Sequence, residues 1–260
     1  MSAEAGSQVV FTQAPRDAGR RSAAAYLTTP LILAGVCLAI YLYVASKQLD
    51  SIEARVLNAP RLGLATWQHI QLTAVSTLLT LIIALPLGIL LTRSFMRRIQ
   101  PALITVLTLG QAIPTIAILV LLAVAFHFLG FKAAIVGLVA YAIVPVLLNT
   151  MVGLDQVDSA VLESGRGMGM SKFTVLTRLE LPLAVPVILA GIRTALVINV
   201  GTAALVTYIN AGGLGDIIVA GLSTNRFTIQ IVGAGLTAVL ALAIDYLAGI
   251  AEDLLRPRGL

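Results

Sequence analysis

Residues Asp155–Pro182 read DQVDSAVLESGRGMGMSKFTVLTRLELP. This is the longest polar interruption between apolar runs in the second half of the 260-residue chain. Asp158 or Ser159 stands where a helix N-cap belongs, and Pro182 stands where a helix is expected to stop. The stretch is therefore expected to form one or two short helices outside an apolar layer. On both sides of it the sequence turns apolar for about 20 residues or more, the length a helix needs to cross a bilayer.

Composition extends that reading to the whole chain. Hydrophobic residues make up 58% and charged residues 11%, with a mean hydropathy of +0.98. Soluble domains carry about 25% charged residues. Apolar runs of spanning length recur, so the expected fold class is all-α: a polytopic membrane protein with six transmembrane helices in a lipid bilayer. The net charge of +5 is not a nucleic-acid signature, because the basic residues gather at the ends of apolar runs; no nucleic-acid partner is expected. Cys37 is the single cysteine. It has no partner for an internal disulfide and no neighbours at metal-ligand spacing.

Working outward, the spans are expected at about Tyr26 to Ala45, His69 to Thr92, Pro101 to Phe128, Ala134 to Leu154, Leu183 to Ile209 and Thr228 to Ile250. Residues 1–25 form a polar tail in which the order of a cleaved leader is absent, so the first span reads as a signal anchor. Residues 26–66 hold that span and a loop, 67–250 the membrane core, and 251–260 a C-terminal tail. Charge sets the orientation. With the N-terminus inside, Arg16, Arg20, Arg21, Arg93, Arg97, Arg98, Arg166, Lys172, Arg178, Arg256 and Arg258 are cytoplasmic. Lys47, Arg55, Arg61, Lys132 and Arg226 are then outside. Eleven against five follows the positive-inside rule, which makes both termini and the opening stretch cytoplasmic.

Pro86, Pro114, Pro145 and Pro186 fall in four different spans. Each removes a backbone donor and crowds the preceding turn, so a kinked bundle that lines something and changes shape is expected. Gln111, His127, Asn149, Arg193, Asn199 and Asp245 lie within or at the ends of apolar runs, where polar atoms must face other helices or water. Arg193 and Asp245 fall at similar heights, so an ion pair is possible; the alternative has Arg193 reaching lipid headgroups or helix-end carbonyls. His127 reads as an interfacial residue.

After the fifth span comes AGGLGD, Ala211 to Asp216, whose glycines permit tight turns and close helix approach. Neither it nor GRGMG, Gly165 to Gly169, is a dinucleotide fingerprint, and no phosphate-binding G-x-x-x-x-G-K-[ST] occurs. No nucleophile–base arrangement and no metal-ligand cluster stands out. No catalytic residue, metal or cofactor is expected on this chain.

The opening stretch resembles the cytoplasmic coupling motif of ABC importer permeases, E-A-A-x3-G-x9-I-x-L-P. Glu163, Ser164 and Gly165 stand at its first three positions. Gly169 stands at the glycine, Leu179 replaces the isoleucine, and Leu181 and Pro182 close it. The segments QHIQLTAVSTLLTLIIALPLGILLTR from Gln68, GQAIPTIAILVLL, LVAYAIVPVLLNTMVGLDQVD and INAGGLGDII are similar to the branch that imports glycine betaine, carnitine and choline. Asn210 departs from that branch, which commonly has glycine there. The resemblance covers roughly Trp67 to the end.

What it implies is a type I ABC importer permease with a MetI-like core in the cell inner membrane. A second permease subunit, identical or paralogous, would complete the path. Two cytoplasmic ABC ATPases, which hold the ATP and Mg, would dock on the coupling segment, and an external substrate-binding protein would deliver solute. Gln111, Pro114, Asn149, Asn199, Asn210, Gly212, Gly213 and Gly215 are the path or gate candidates. Methionine- and phosphonate-type permeases share AGGLG-like loops and remain an alternative, as does an ion-coupled secondary transporter. Aromatics make up only 5% of the chain. That is consistent with selectivity for a quaternary ammonium, usually held by aromatic cages, residing in the separate binding protein.

Overall fold

A computed structural model of the chain describes residues 23–96 and 98–255. The tail arginines Arg16, Arg20, Arg21, Arg256 and Arg258, and Arg97, lie outside the described residues. Among the described residues the structure is helical throughout. The helices are α1 (Ala23–Ala45), α2 (Ser51–Val56), α3 (Ala59–Leu91), α4 (Gln100–Gln111), α5 (Thr115–Ala125), α6 (Gly130–Asp155), α7 (Ser159–Gly167), α8 (Lys172–Val175), α9 (Leu181–Ala203), α10 (Leu214–Ser223) and α11 (Phe227–Leu255). Short 3-10 turns follow α3 at Ser94–Met96 and α9 at Leu205–Ile209, and a π-helical turn, Leu176–Glu180, joins α8 to α9.

Local chemistry sets several boundaries. Asp50 accepts from the Ile52 and Glu53 amides while Glu53 reaches back to the Asp50 amide, a reciprocal box that starts α2. Asn58 caps α3, with Pro60 in its first turn. That cap starts α3 ten residues before His69 (69 − 59 = 10), inside what the sequence reads as loop. The loop expected after the fifth span likewise contains α10.

Five helices are long and apolar enough to cross a membrane. The expected third span is not one helix: α4 and α5 meet at 87° across a break. Pro114 has no N–H to continue the ladder and takes an extended ψ of 133° at the start of α5. Pro86, Pro145 and Pro186, by contrast, lie inside unbroken helices. The apolar side chains of α4, Leu103, Ile104 and Leu107, pack beside Leu91 and Met151. Those of α5 pack at the other end, where Leu119 is buried with Val206 and Ile209. Taken together as one broken span, the bent pair brings the spans to six. A second expectation fails at Pro182, which does not stop a helix. Lys172–Ala203 runs on as one helical span. The π turn, in which the Leu181 amide bonds to the Leu176 carbonyl, accommodates the proline that follows it.

The core is α6, flanked by α3 and α9. Lipid is as apolar as leucine, so these helices associate through close approach and not through water exclusion. At Gly191 an added Cβ would lie 2.5 Å from the Asn149 Cβ and 2.9 Å from the Pro145 carbonyl oxygen. α11 packs on α9 and α10, and α1 lies along the outside of α11. There Ile40 touches Gly235 and the Tyr26 hydroxyl bonds to Asp253. The leucines Leu27 and Leu31 on α1 are 69% exposed, as befits a lipid-facing helix.

Candidate functional site

The motif residues at 163–182 fold into a compact unit. Asp158 caps α7 by accepting from the Ala160 amide. α7 ends in a Schellman turn: the Met170 amide bonds to the Gly165 carbonyl and the Gly169 amide to the Arg166 carbonyl. Gly169 takes φ +81°, the left-handed value such a turn requires. The chain then reverses through a Ser171 cap on the Thr174 amide into α8. Leu179 closes back on α7; an added Cβ at Gly165 would lie 2.6 Å from the Leu179 Cδ1. Two motif positions fourteen residues apart (179 − 165 = 14) are thus in contact. Glu163 and Ser164 remain exposed on α7, next to the exposed Arg166 and Phe173. The result is a small helical knob with its glycine inside and its polar residues outside.

An ion pair ties the knob to the membrane core. Glu180 is buried, and its Oε2 sits 2.6 Å from Arg93 Nη2 at the end of α3. The same guanidinium bonds to the Thr92 hydroxyl and the Ile89 carbonyl. Reading the sequence did not single out this pair. Its members are 87 residues apart, and each looks like an ordinary loop charge.

A second pair stands where the sequence allowed one. Arg193 on α9 forks onto Asp245 on α11, with Nε 2.5 Å from Oδ1 and Nη2 2.7 Å from Oδ2. Glu252 lies 3.7 Å from the same guanidinium. An open groove of about 280 Å³ runs beside it, lined by Arg193, Thr194, Val197, Ile198 and Asp245.

At the other end of the bundle the glycine loop is pressed against the third turn of α3, at Gln68 and His69. Asn210 sits in the left-handed region at φ 61°, with Gly212 at +81° and Gly213 at +99°. Asparagine is the non-glycine residue that tolerates that conformation best, which is how it stands where the resembling branch has glycine. An added Cβ at Gly212 would lie 2.6 Å from Gln68 Oε1, and one at Gly215 only 2.0 Å from the Ala204 carbonyl oxygen. Asp216 accepts a hydrogen bond from the Thr207 hydroxyl, closing the loop on itself. Gln68 Oε1 accepts from the Gly213 amide at 3.2 Å, and the fully buried His69 accepts from the Leu214 amide at Nδ1, 3.2 Å. The imidazole proton therefore sits on Nε2, which donates to the Val200 carbonyl at 2.9 Å. Neither Gln68 nor His69 was among the residues chosen from sequence. The available signal was a polar stripe at helical spacing on α3, since His69, Thr73, Ser76, Thr77 and Thr80 are all buried.

Between the two ends lie the remaining candidates. Pro145 cannot donate to the Tyr141 carbonyl one turn back, and Gln111 Nε2 does so instead, at 3.1 Å. The Tyr141 hydroxyl returns a bond to the Gln111 carbonyl at 3.3 Å. One proline breaks a span and another frees a carbonyl, and the unwound Gln111–Pro114 segment answers the freed group. Asn149 turns back on the Pro145 carbonyl. Asn199 is wholly buried and donates to the Thr77 hydroxyl at 3.0 Å, fastening α9 to α3. The candidates therefore form separate clusters: Gln111 with Tyr141, Asn149 with Pro145, and Asn199 with Thr77. Only the glycine-loop residues converge on one place. His127, on the α5–α6 turn, is exposed at φ 51°.

Comparison with known proteins fits this architecture. The model of a family described as "Binding-protein-dependent transport system inner membrane component" matches residues 84–258. The carnitine transport permease protein OpuCD of Listeria monocytogenes serotype 1/2a (strain 10403S) is 43% identical over 192 residues, covering 74% of this chain and 85% of that protein. The glycine betaine/carnitine/choline transport system permease protein OpuCD of Bacillus subtilis (strain 168) is 42% identical, covering 74% and 82%. The osmoprotectant import permease protein OsmW of Salmonella typhimurium is 35% identical, covering 82% of this chain and all of that protein. Among solved structures, an inward-facing MetNI methionine ABC transporter shares the fold, with a TM-score of 0.68 at 24% identity over 77% of this chain. A multi-pass helical bundle, a family model matching most of it and relatives of this similarity lead to one assignment: the chain belongs to the binding-protein-dependent transport system inner membrane components, the permeases of ABC importers.

Proposed function

We propose that this permease serves an importer of quaternary-ammonium osmoprotectants: glycine betaine, carnitine, choline and relatives. The observation that carries the substrate class is the 42–43% identity to carnitine and glycine betaine/carnitine/choline permeases across most of both chains. The chain is a transport subunit and not an enzyme; the family assignment removes the secondary-transporter alternative. A second permease, the same chain or a paralogue, completes the path, and an external binding protein delivers the solute. The chain lies in the inner membrane with both termini in the cytoplasm. The positive-inside count supports that orientation, because it puts the 163–182 knob where an ATPase can reach it.

Two ATPase subunits dock on Glu163, Ser164, Gly165, Gly169, Leu179, Leu181 and Pro182. The exposed face of α7 offers Glu163 and Ser164 to the partner. Gly165 and Leu179 hold the knob together, and Leu181 and Pro182 lead straight into α9, so a push on the knob is delivered along one helical span. The Arg93–Glu180 pair transmits the same push to α3. Packed helices respond to such a displacement by switching between discrete arrangements. Gln111, Pro114, Asn149, Asn199, Asn210, Gly212, Gly213 and Gly215 line or gate the path. The fork between Arg193 and Asp245 keeps α9 and α11 moving together.

The test is uptake into proteoliposomes holding the chain, its partner permease and the ATPase, with the binding protein outside. Labelled glycine betaine, carnitine, choline and methionine form the panel. ATP-dependent uptake of the first three, lost on Glu163→Arg while the complex still assembles, is expected. Uptake of methionine alone would overturn the substrate class. Full ATPase coupling with Glu163→Arg would overturn the docking assignment.

A further inference from the structure

Helix α10 has no cap of its own. Its N-cap position is Gly213, which has no side chain, and no side chain from within the helix bonds to its first turn. The Asp216 amide bonds back to the Gly213 carbonyl, and the Gly213 and Leu214 amides, two of the three still unanswered, need partners from elsewhere. Both find them on α3, 145 residues away: Gln68 Oε1 for Gly213 and His69 Nδ1 for Leu214. His69 makes a further link, through Nε2 to Val200 on α9. One buried imidazole thus joins three helices, in the only tautomer that serves both neighbours. The glycines make this possible, since a Cβ at Gly212 would strike Gln68 and one at Gly213 would come within 3.3 Å of His69 Nδ1.

We propose that Gln68 and His69 are positioning residues for the glycine loop. They cap α10 in trans, and this cap holds Asn210–Asp216 against α3. The assignment rests on reading the chain as a permease whose helices shift during transport. It adds that the loop's place is set by two side-chain acceptors in the third turn of α3, and that the link to Val200 is secondary.

The two functions of His69 are separable. Asparagine places an amide oxygen near the position of Nδ1 and cannot reach Val200. Glutamine places its amide near the position of Nε2 and leaves the Leu214 amide without its acceptor. Each variant loses one hydrogen bond, so a purely structural role predicts equal losses. A trans cap predicts that His69→Asn keeps ATP-dependent uptake and that His69→Gln loses about fivefold, the usual worth of a helix cap. A second readout uses Ala211→Cys in a Cys37→Ser background, labelled with a soluble maleimide in the assembled complex. Labelling is expected to quicken about fivefold in His69→Gln and not in His69→Asn. Equal behaviour of the two variants in both assays overturns the proposal. Should His69→Gln fail to assemble, Gln68→Ala removes only the Gly213 acceptor. Faster labelling of Ala211→Cys in that variant supports the cap, and unchanged labelling overturns it. Uptake that proved independent of ATP in the unaltered complex would instead sink the permease reading, and the labelling comparison would still decide the cap.

Discussion

The knob at 163–182 and the loop at 210–216 both depend on glycine, and they use it in opposite ways. In the knob, the capping and turn partners are close in sequence, and the Arg93–Glu180 pair is its link to the rest of the bundle. Asp158 caps its own helix, Gly169 turns its own chain, and Leu179 covers a glycine fourteen positions away (179 − 165 = 14). The loop has a local bond from Thr207 to Asp216, but it is seated by distant groups: Gln68 and His69 accept its amides, and the Ala204 carbonyl lies against Gly215. A locally satisfied unit can move as one piece, as a lever must. A segment satisfied by other helices is fixed only while those helices hold their places, which suits a gate. The difference lies in where the hydrogen-bond partners come from and not in composition.

The sharpest way to break the comparison is at Gly215. With the Ala204 carbonyl only 2.0 Å from an added Cβ, Gly215→Val must displace backbone, and a loss of about 3 kcal/mol is expected from overpacking. Thermal unfolding of the purified complex checks it, and a melting temperature like that of the unaltered complex would contradict the packing described. Arg93→Ala comes next. It leaves the buried Glu180 without its cation and is expected to cost about 2–3 kcal/mol, less than a fully buried pair because Arg93 is 30% exposed. Arg93→Ala, Glu180→Gln should recover part of that loss, measured by the same melts.

Within the knob the effects shrink. Gly169→Ala forces a side chain into φ +81° and should cost about 1 kcal/mol. Gly167→Ala, where an added Cβ meets nothing within 4 Å, should be neutral or gain up to about 1 kcal/mol of helix propensity. Opposite signs for two glycines two residues apart would sharpen the case that the turn is built locally. The smallest effect lies near the loop, at Asp50. Its carboxylate accepts the Glu53 and Ile52 amides and pairs with Arg226 at 2.8 Å, which holds its pKa below the usual 3.8. A lowered folded-state pKa stabilises the fold at pH above 3.8, and that contribution fades as acid protonates the group. The melting difference between the unaltered chain and Asp50→Asn should therefore be constant near neutrality and close below about pH 4.

Legibility followed the same division. The Asp158 or Ser159 cap, the glycine turn and the apolar runs are local patterns, and they could be read directly. The helical start at Ala59 and the helix at 214–223 lie where polar and glycine-rich residues read as loop; Asn58 caps the first locally, and contacts from α3 supply the cap the second lacks. Pro114 and Pro145 looked alike in sequence. One breaks its span and the other does not, and the carbonyl that Pro145 frees is answered by Gln111, a partner 30 residues away. Arg93 and Glu180 carried no mark of their pairing.

By itself, the sequence determined that this chain is a membrane bundle, where its apolar runs fall and which polar stretch interrupts them. Those properties rest on periodicity and on the cost of unsatisfied backbone in hydrocarbon, which act over one or two turns of helix. Only the tertiary structure decided which proline breaks a helix, which carboxylate is buried against which arginine, and that α10 is capped from α3. Each of these depends on a hydrogen-bond partner brought close by packing across about 30 to 145 residues of chain, and no local pattern encodes that proximity.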